Sequence, residues 1–182
     1  FYDGAIAATR NFYGVLRVQQ FGEAGAERRQ LIHGNIMHGK QYLAPGLSPQ
    51  PTSYYTPTSG IGRVIEALHP TLTPVKVGII GLGTGTIATY GATGDTYRFY
   101  DINPGVVAIA QRDFTFLKDS GATIELPMGD ARLKLEREAP QNFDVLAIDA
   151  FSSDAIPVHL ITREAVEVYL RHMKPDGVIA FH

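Results

Sequence analysis

Four acidic residues stand where a strand-like run gives way to a loop, or within such a loop. Asp101 follows Tyr97-Arg98-Phe99-Tyr100, and Asp130 sits in Met128-Gly129-Asp130-Ala131. Asp149 follows the apolar run 143–148, and Asp154 lies in the next loop, Ser152-Ser153-Asp154-Ala155. A carboxylate like Asp101, about twenty residues beyond a glycine turn, can accept hydrogen bonds from the two hydroxyls of a ribose. Asp130 could accept one from an adenine amino group. Asp149 closes a strand that reads as buried, a setting in which a carboxyl becomes a candidate for chemistry. Each acid also has a structural reading. Asp101, Asp130 and Asp149 could cap or begin a helix or turn, and Asp154 could be a solvated loop acid.

The glycine turn belongs to the stretch Val75-Lys76-Val77-Gly78-Ile79-Ile80-Gly81-Leu82-Gly83-Thr84-Gly85-Thr86. Its apolar, β-branched half reads as a buried parallel strand, and its glycines let the backbone turn closely against a ligand. Residues 86–90 can open a helix with its amino end toward that ligand. Strand, glycine turn, helix, strand and acid form a nucleoside-binding βαβ unit. The dinucleotide fingerprint G-x-G-x-x-G would need glycine at position 86, where Thr86 stands. G-x-G-x-G suits an adenosyl sulfonium better than a pyrophosphate, and there is no G-x-x-x-x-G-K-[ST] phosphate loop.

The elements that must position these residues follow in chain order. Residues 11–21 alternate and are rich in aromatic and β-branched side chains, which predicts a strand. Two more strands, 29–33 and 36–43, complete a small antiparallel unit. Residues 45–57 are dense in Pro, Ser and Thr and read as a connector, with Tyr54-Tyr55 inside it. Thr58 or Ser59 can cap a helix reaching His69. Asn103-Pro104 opens a second helix whose apolar face extends to Leu117. A strand over 122–126, a helix over 132–139, the strand 143–148, a helix over 162–173, a turn at 174–177 and a strand over 178–181 follow. The expected architecture is α/β: a Rossmann-like sheet of the S-adenosylmethionine-dependent methyltransferase type with a small N-terminal β unit. The expected division is a β unit and connector over 1–57 and a nucleoside-binding domain over 58–182. In an open α/β sheet the ligand lies at the carboxyl ends of the strands, so Asp101, Asp130 and Asp149 converge on one crevice.

Bulk properties narrow the function classes. A chain of 182 residues with 45% hydrophobic and 19% charged residues is ordinary for a globular fold with a sizeable core. A net charge of -2 makes no electrostatic case for nucleic acid. The absence of cysteine excludes disulfides and thiolate chemistry and fits a reducing, cytoplasmic setting. No apolar run has the length of a membrane span, about 18–20 residues. Six histidines, His33, His38, His69, His159, His172 and His182, show no H-E-x-x-H or other ligand spacing, so no metal site is expected. Ser152 and Ser153 lack the G-x-S-x-G context of a hydrolase. The chain begins without Met and ends on an apolar strand, and so reads as part of a longer protein. Strand 178–181 would be an exposed edge, so a homo-oligomer or further chain is expected to cover it.

With these residues in view, the chain resembles the spermidine synthase family of aminopropyltransferases, and within it the spermidine-synthase-like domain of bacterial membrane-fused proteins. Gly81-Leu82-Gly83-Thr84-Gly85 is similar to the family's glycine loop, and Tyr100-Asp101-Ile102-Asn103 to its ribose-acid segment. Gly129-Asp130-Ala131 is similar to its adenine-side Gly-Asp, and Gln41 to the glutamine before its gate region. Asp149-Ala150-Phe151-Ser152-Ser153-Asp154 is similar to its catalytic Asp-Ser-Ser-Asp loop, although the two acids here are five residues apart rather than three. Tyr55-Thr56-Pro57 stands where the family has Tyr-x-Glu. The resemblance implies decarboxylated S-adenosylmethionine as co-substrate, or S-adenosylmethionine, and a small-molecule amine as acceptor. It implies cofactor contacts from Gln41, Gly81, Gly83, Gly85, Asp101, Ile102, Asp130, Ala131 and Asp149. It implies that Asp149 orients or deprotonates the amine, with Asp154 and Tyr55 assisting. It also implies a membrane domain elsewhere in the full-length protein, with this domain on the cytoplasmic side. Two alternatives use the same crevice: an S-adenosylmethionine-dependent methyltransferase, and a non-catalytic adenosyl-nucleoside-binding domain of a membrane protein.

Overall fold

The computed structural model describes residues 4–151 and 156–182. The chain opens with an antiparallel meander, β1 (Ala5–Asn11), β2 (Gly14–Phe21), β3 (Arg28–His33) and β4 (Ile36–Tyr42), paired in sequence order. Residues 11–21 are therefore not one strand. Asn11 pairs with Gly14, and Phe12 and Tyr13 form the turn between β1 and β2. The Asn11 side chain accepts a hydrogen bond from the Tyr13 amide (2.9 Å), the local bond by which asparagine favours turns over strands. Leu16, Val18 and Leu31 point from this sheet into the core and are fully buried.

A 3-10 turn at Ser53–Tyr55 leads to α1 (Gly60–Leu68), capped by the Ser59 hydroxyl, which accepts from the Gly62 amide at 3.1 Å. The second sheet then assembles from β5 (Lys76–Ile80), β6 (Thr96–Tyr100), β7 (Thr123–Glu125), β8 (Phe143–Ile148) and β9 (Met173–Phe181). Its order is β7-β6-β5-β8-β9, with every neighbour parallel. The connecting helices are α2 (Pro104–Asp113), α3 (Phe116–Asp119), α4 (Ala131–Arg137) and α5 (Arg163–Arg171).

Period-two alternation in the central strands divides the interior in two. Val77 and Ile79 of β5 and Val145 and Ala147 of β8 face α1, α2, α3 and the meander. Ile80, Leu146 and Ile148 face the other way, onto Leu135 of α4 and Ala165, Val168 and Tyr169 of α5. Strands covered on both faces explain why 75–80 and 143–148 are apolar apart from Lys76 and Asp144 near their starts. The meander shares a core with the parallel sheet, because Leu16, Val18 and Leu31 pack in the same cluster as β5.

Three further expectations change. Residues 86–90 make a 3-10 turn rather than an α-helix, so no long helix points its amino end at the glycine loop. The helix expected to reach Leu117 breaks at Phe114 and Thr115, where the Thr115 amide donates to the Gln41 side chain (3.0 Å). Residues 174–177 are not a separate turn but lie within β9, at a register shift opposite Phe143 and Val145. Among the described residues, no helix is long and apolar enough to cross a membrane.

Candidate active site

Strand β5 lies between β6, reached first, and β8, reached later, so the strand order switches direction at its carboxyl end. That is where open α/β sheets form a crevice. Backbone pairing continues one residue past the strands: Gly81 N–H donates to Tyr100 O (2.8 Å), Asp149 N–H to Ile80 O (2.8 Å) and His182 N–H to Ile148 O (3.1 Å). Gly81, Asp149 and His182 therefore emerge side by side. Above them β4 closes the space, and a cavity of about 570 Å³ remains between the two sheets. That is ample for a nucleoside-sized ligand.

The glycine loop is shaped by what lies against it. At Gly81 (φ 101°) a Cβ would lie 2.3 Å from the Asp149 carbonyl oxygen, and at Gly83 (φ 54°) 2.7 Å from the His38 carbonyl oxygen. Only glycine allows this conformation and this closeness together. Gly81 and Gly83 line the cavity, whereas the Cβ position of Gly85 faces the Leu117 side chain.

Asp101 lines the cavity and holds the loop in place. Its Oδ2 accepts from the Leu82 amide (3.0 Å) and its Oδ1 from the Asn103 amide (2.8 Å). Burial pushes its carboxyl above the ordinary range, against the opposing pull of these two amides. Ile102, Asp130 and Ala131 line the same cavity. Asp130 is also the N-cap of α4, accepting from the Leu133 amide (2.9 Å), and its second oxygen meets His159 Nε2 at 2.7 Å. The cap and cavity readings of Asp130 thus hold together.

At Asp149 the Tyr55 hydroxyl donates to Oδ2, and His182 Nδ1 lies 2.8 Å from Oδ1. Burial raises the Asp149 carboxyl and the neighbouring imidazole draws it back down. Tyr55 is fixed in turn, its carbonyl accepting from the Tyr90 hydroxyl. Tyr54 and Tyr55 thus line the cavity from the segment that reads in sequence as a connector.

Gln41 stands apart. It is 1% exposed, does not line the cavity, and spends its amide on the Ser48 carbonyl (3.0 Å) and on the hydroxyl (2.8 Å) and amide of Thr115. Its place is the joint between β4 and the break before α3. Asp154 lies outside the described residues.

The cavity also gathers histidines that show no spacing in sequence: His33, His38, His159 and His182. The rings of His33 and His38 lie 5.6 Å apart, tilted by 47°, and burial together with His33 lowers the basicity of His38. His182 could have been found from the strand pattern, since it follows β9 directly as Asp149 follows β8. His159 has no such signal.

Fold and crevice together define a Rossmann-like α/β protein carrying an antiparallel N-terminal sheet, with an open cavity at the carboxyl end of its central strands. Two solved structures with the same fold are described as spermidine synthases. A probable spermidine synthase from Corynebacterium glutamicum superposes with a TM-score of 0.74 at 15% identity, covering 100% of this chain and 63% of that one. Spermidine synthase from Thermotoga maritima gives 0.70 at 18% identity, covering 97% and 56%. In sequence, the chain is 32% identical over 113 residues to the polyamine aminopropyltransferase of Vibrio vulnificus, a span of 58% of this chain and 36% of that protein. No family model matches the chain. By sequence and by fold, then, the chain is similar to the spermidine synthases, while spanning roughly a third to two thirds of the length of these relatives.

Proposed function

We propose that the protein is a spermidine synthase-like aminopropyltransferase, moving an aminopropyl group from decarboxylated S-adenosylmethionine to a small amine. The observation that carries this reading is Asp149. It lies one residue past a central strand, in the same cavity as Asp101 and Asp130, with a tyrosine hydroxyl fixing one of its oxygens. Asp101 would accept from the ribose hydroxyls, and Asp130 and Ala131 would meet the adenine. The Asp149 carboxylate would then lie beside the sulfonium, where it can hold a cationic amine as a charge-assisted pair.

The amine lone pair attacks the propyl carbon next to sulfur. The C–N bond forms, the C–S bond breaks, its electron pair returns to sulfur, and methylthioadenosine leaves. Positioning supplies much of the rate, and removal of one ammonium proton supplies more. A carboxylate at that point also disfavours intact S-adenosylmethionine, whose own carboxylate it would repel. The similarity to a polyamine aminopropyltransferase, a probable spermidine synthase and a spermidine synthase supports the same reading.

Asp149→Asn tests it. The expected result is a fall in kcat of roughly 10²–10⁴-fold, the range for loss of acid–base function, with methylthioadenosine affinity little changed. The same variant should relax the preference for the decarboxylated co-substrate. Joint loss of nucleoside binding and stability would make Asp149 a structural residue instead.

A further inference from the structure

Asp149 has no uncommitted oxygen in this structure. Tyr55 donates to Oδ2, and Oδ1 lies 2.8 Å from His182 Nδ1. A carboxylate only accepts hydrogen bonds, so the imidazole nitrogen facing it must carry the proton. In the neutral ring that leaves Nε2 as the basic nitrogen. Among the described residues, Nε2 has no hydrogen-bond partner. The ring itself is held, 4.5 Å from the Tyr54 ring and 5.6 Å from the Phe151 ring, both of which line the cavity with it.

We propose that His182 is the proton acceptor of the reaction, with Asp149 fixing its tautomer and balancing the charge that the ring acquires. This rests on the transferase reading above. The acceptor amine enters as an ammonium ion and gives one proton to His182 Nε2, forming the free amine and an imidazolium. The amine lone pair then forms the new C–N bond, and the sulfonium sulfur takes the electron pair of the breaking C–S bond. The imidazolium releases its proton to water, so each transfer yields one methylthioadenosine and one proton. Tyr55 completes the array by holding Asp149 from the other side. Bonded by two donors, the carboxylate is placed as an anchor, whereas Nε2 of the ring is the nitrogen left open to take a proton.

Among the described residues, the titratable groups around His182 are few. Asp149 lies beside it on the β8 side, and Tyr54 and Tyr55 come from the 3-10 turn. Helix α1, which packs near β9, carries Arg63 and Glu66, both exposed. Lys174 and Asp176 belong to the opposite end of β9, where Lys174 pairs with Asp144 (2.7 Å). Asp130 with His159, and Asp101 with His33 and His38, line the remaining parts of the cavity.

The test compares wild type, His182→Asn and His182→Ala. Asparagine can still donate to Asp149 but offers no base, and alanine leaves room for added imidazole. Wild-type protein is first given decarboxylated S-adenosylmethionine and a panel of amines. If no methylthioadenosine is released with any amine, the transferase reading fails and this proposal with it. Given turnover, His182→Asn should lose roughly 10²–10⁴-fold in kcat near neutral pH and recover as alkaline pH deprotonates the amine itself. Methylthioadenosine affinity should stay within about threefold, and imidazole should restore part of the His182→Ala rate. If His182→Asn keeps the wild-type rate and its acid limb, Asp149 is the base and the proposal is overturned. A loss of rate that is uniform across pH, without imidazole rescue, or a joint loss of nucleoside binding, would make His182 structural and overturn it as well.

Discussion

Asp101 combines two roles whose pH dependences run in opposite directions. Its carboxyl is raised by burial. For such a group the contribution to stability is present below the unfolded value and is lost as pH rises through the folded one. Ribose binding needs the ionised form, because only then are both oxygens acceptors for hydroxyl donors. Methylthioadenosine affinity should therefore weaken on acidification at a pH above the ordinary aspartate range, and Asp101→Asn should flatten that dependence. Asp101→Ala should weaken binding by ~2 kcal/mol or more, since hydrogen bonds to a charged acceptor are worth roughly 1.5–3 kcal/mol. Titration calorimetry over a pH series reads both effects. An affinity unchanged in Asp101→Ala would remove the residue from the ribose role. Asp101 and Asp149 were legible in sequence because each directly follows a strand whose pattern is itself legible, and Asp130 because it stands at the start of a legible helix. His159 was not, because its partner Asp130 lies 29 residues away, and although the place of His182 just after β9 can be read from the strand pattern, its pairing with Asp149, 33 residues away, cannot. Such pairings exist only once the sheet has formed.

At the scale of elements, β1 to α2 shows what local pattern conveys and what it does not. Asn103-Pro104 reads at once as a helix start, and in the structure Asn103 Oδ1 accepts from the Gly105 amide (3.0 Å). The same oxygen accepts from Asn11 Nδ2 (2.6 Å), tying the first hairpin to α2 across the cavity wall. No pattern within 11–21 reveals that bond, and strand periodicity alone ran across the turn at Phe12 and Tyr13. Likewise the apolar face of 106–117 is continuous in sequence, and only Gln41, a residue of β4, breaks the helix by taking the Thr115 amide. Because the cap is 4% exposed and doubly used, Asn103→Ala should lower stability by ~1–2 kcal/mol, with Asn11 Nδ2 losing this partner as well. Urea unfolding measures it, and a change below about 0.5 kcal/mol would show that the junction contributes little.

At the scale of the molecule, the antiparallel sheet does more than precede the parallel one. It supplies Leu16, Val18 and Leu31 to the same core as β5, and it brings His33 and His38 over the crevice. The glycine loop, the three strand-end acids and Tyr55 then surround one cavity large enough for an adenosyl co-substrate and a small amine. The measurement that tests this account most directly is product analysis after incubation with each co-substrate and a panel of small amines. The account predicts methylthioadenosine and an aminopropylated amine from decarboxylated S-adenosylmethionine, with far slower turnover of the intact form. Adenosylhomocysteine from intact S-adenosylmethionine, with no methylthioadenosine from the decarboxylated form, would make the protein a methyltransferase. Tight nucleoside binding with no product from either co-substrate would contradict catalysis altogether and leave a binding domain.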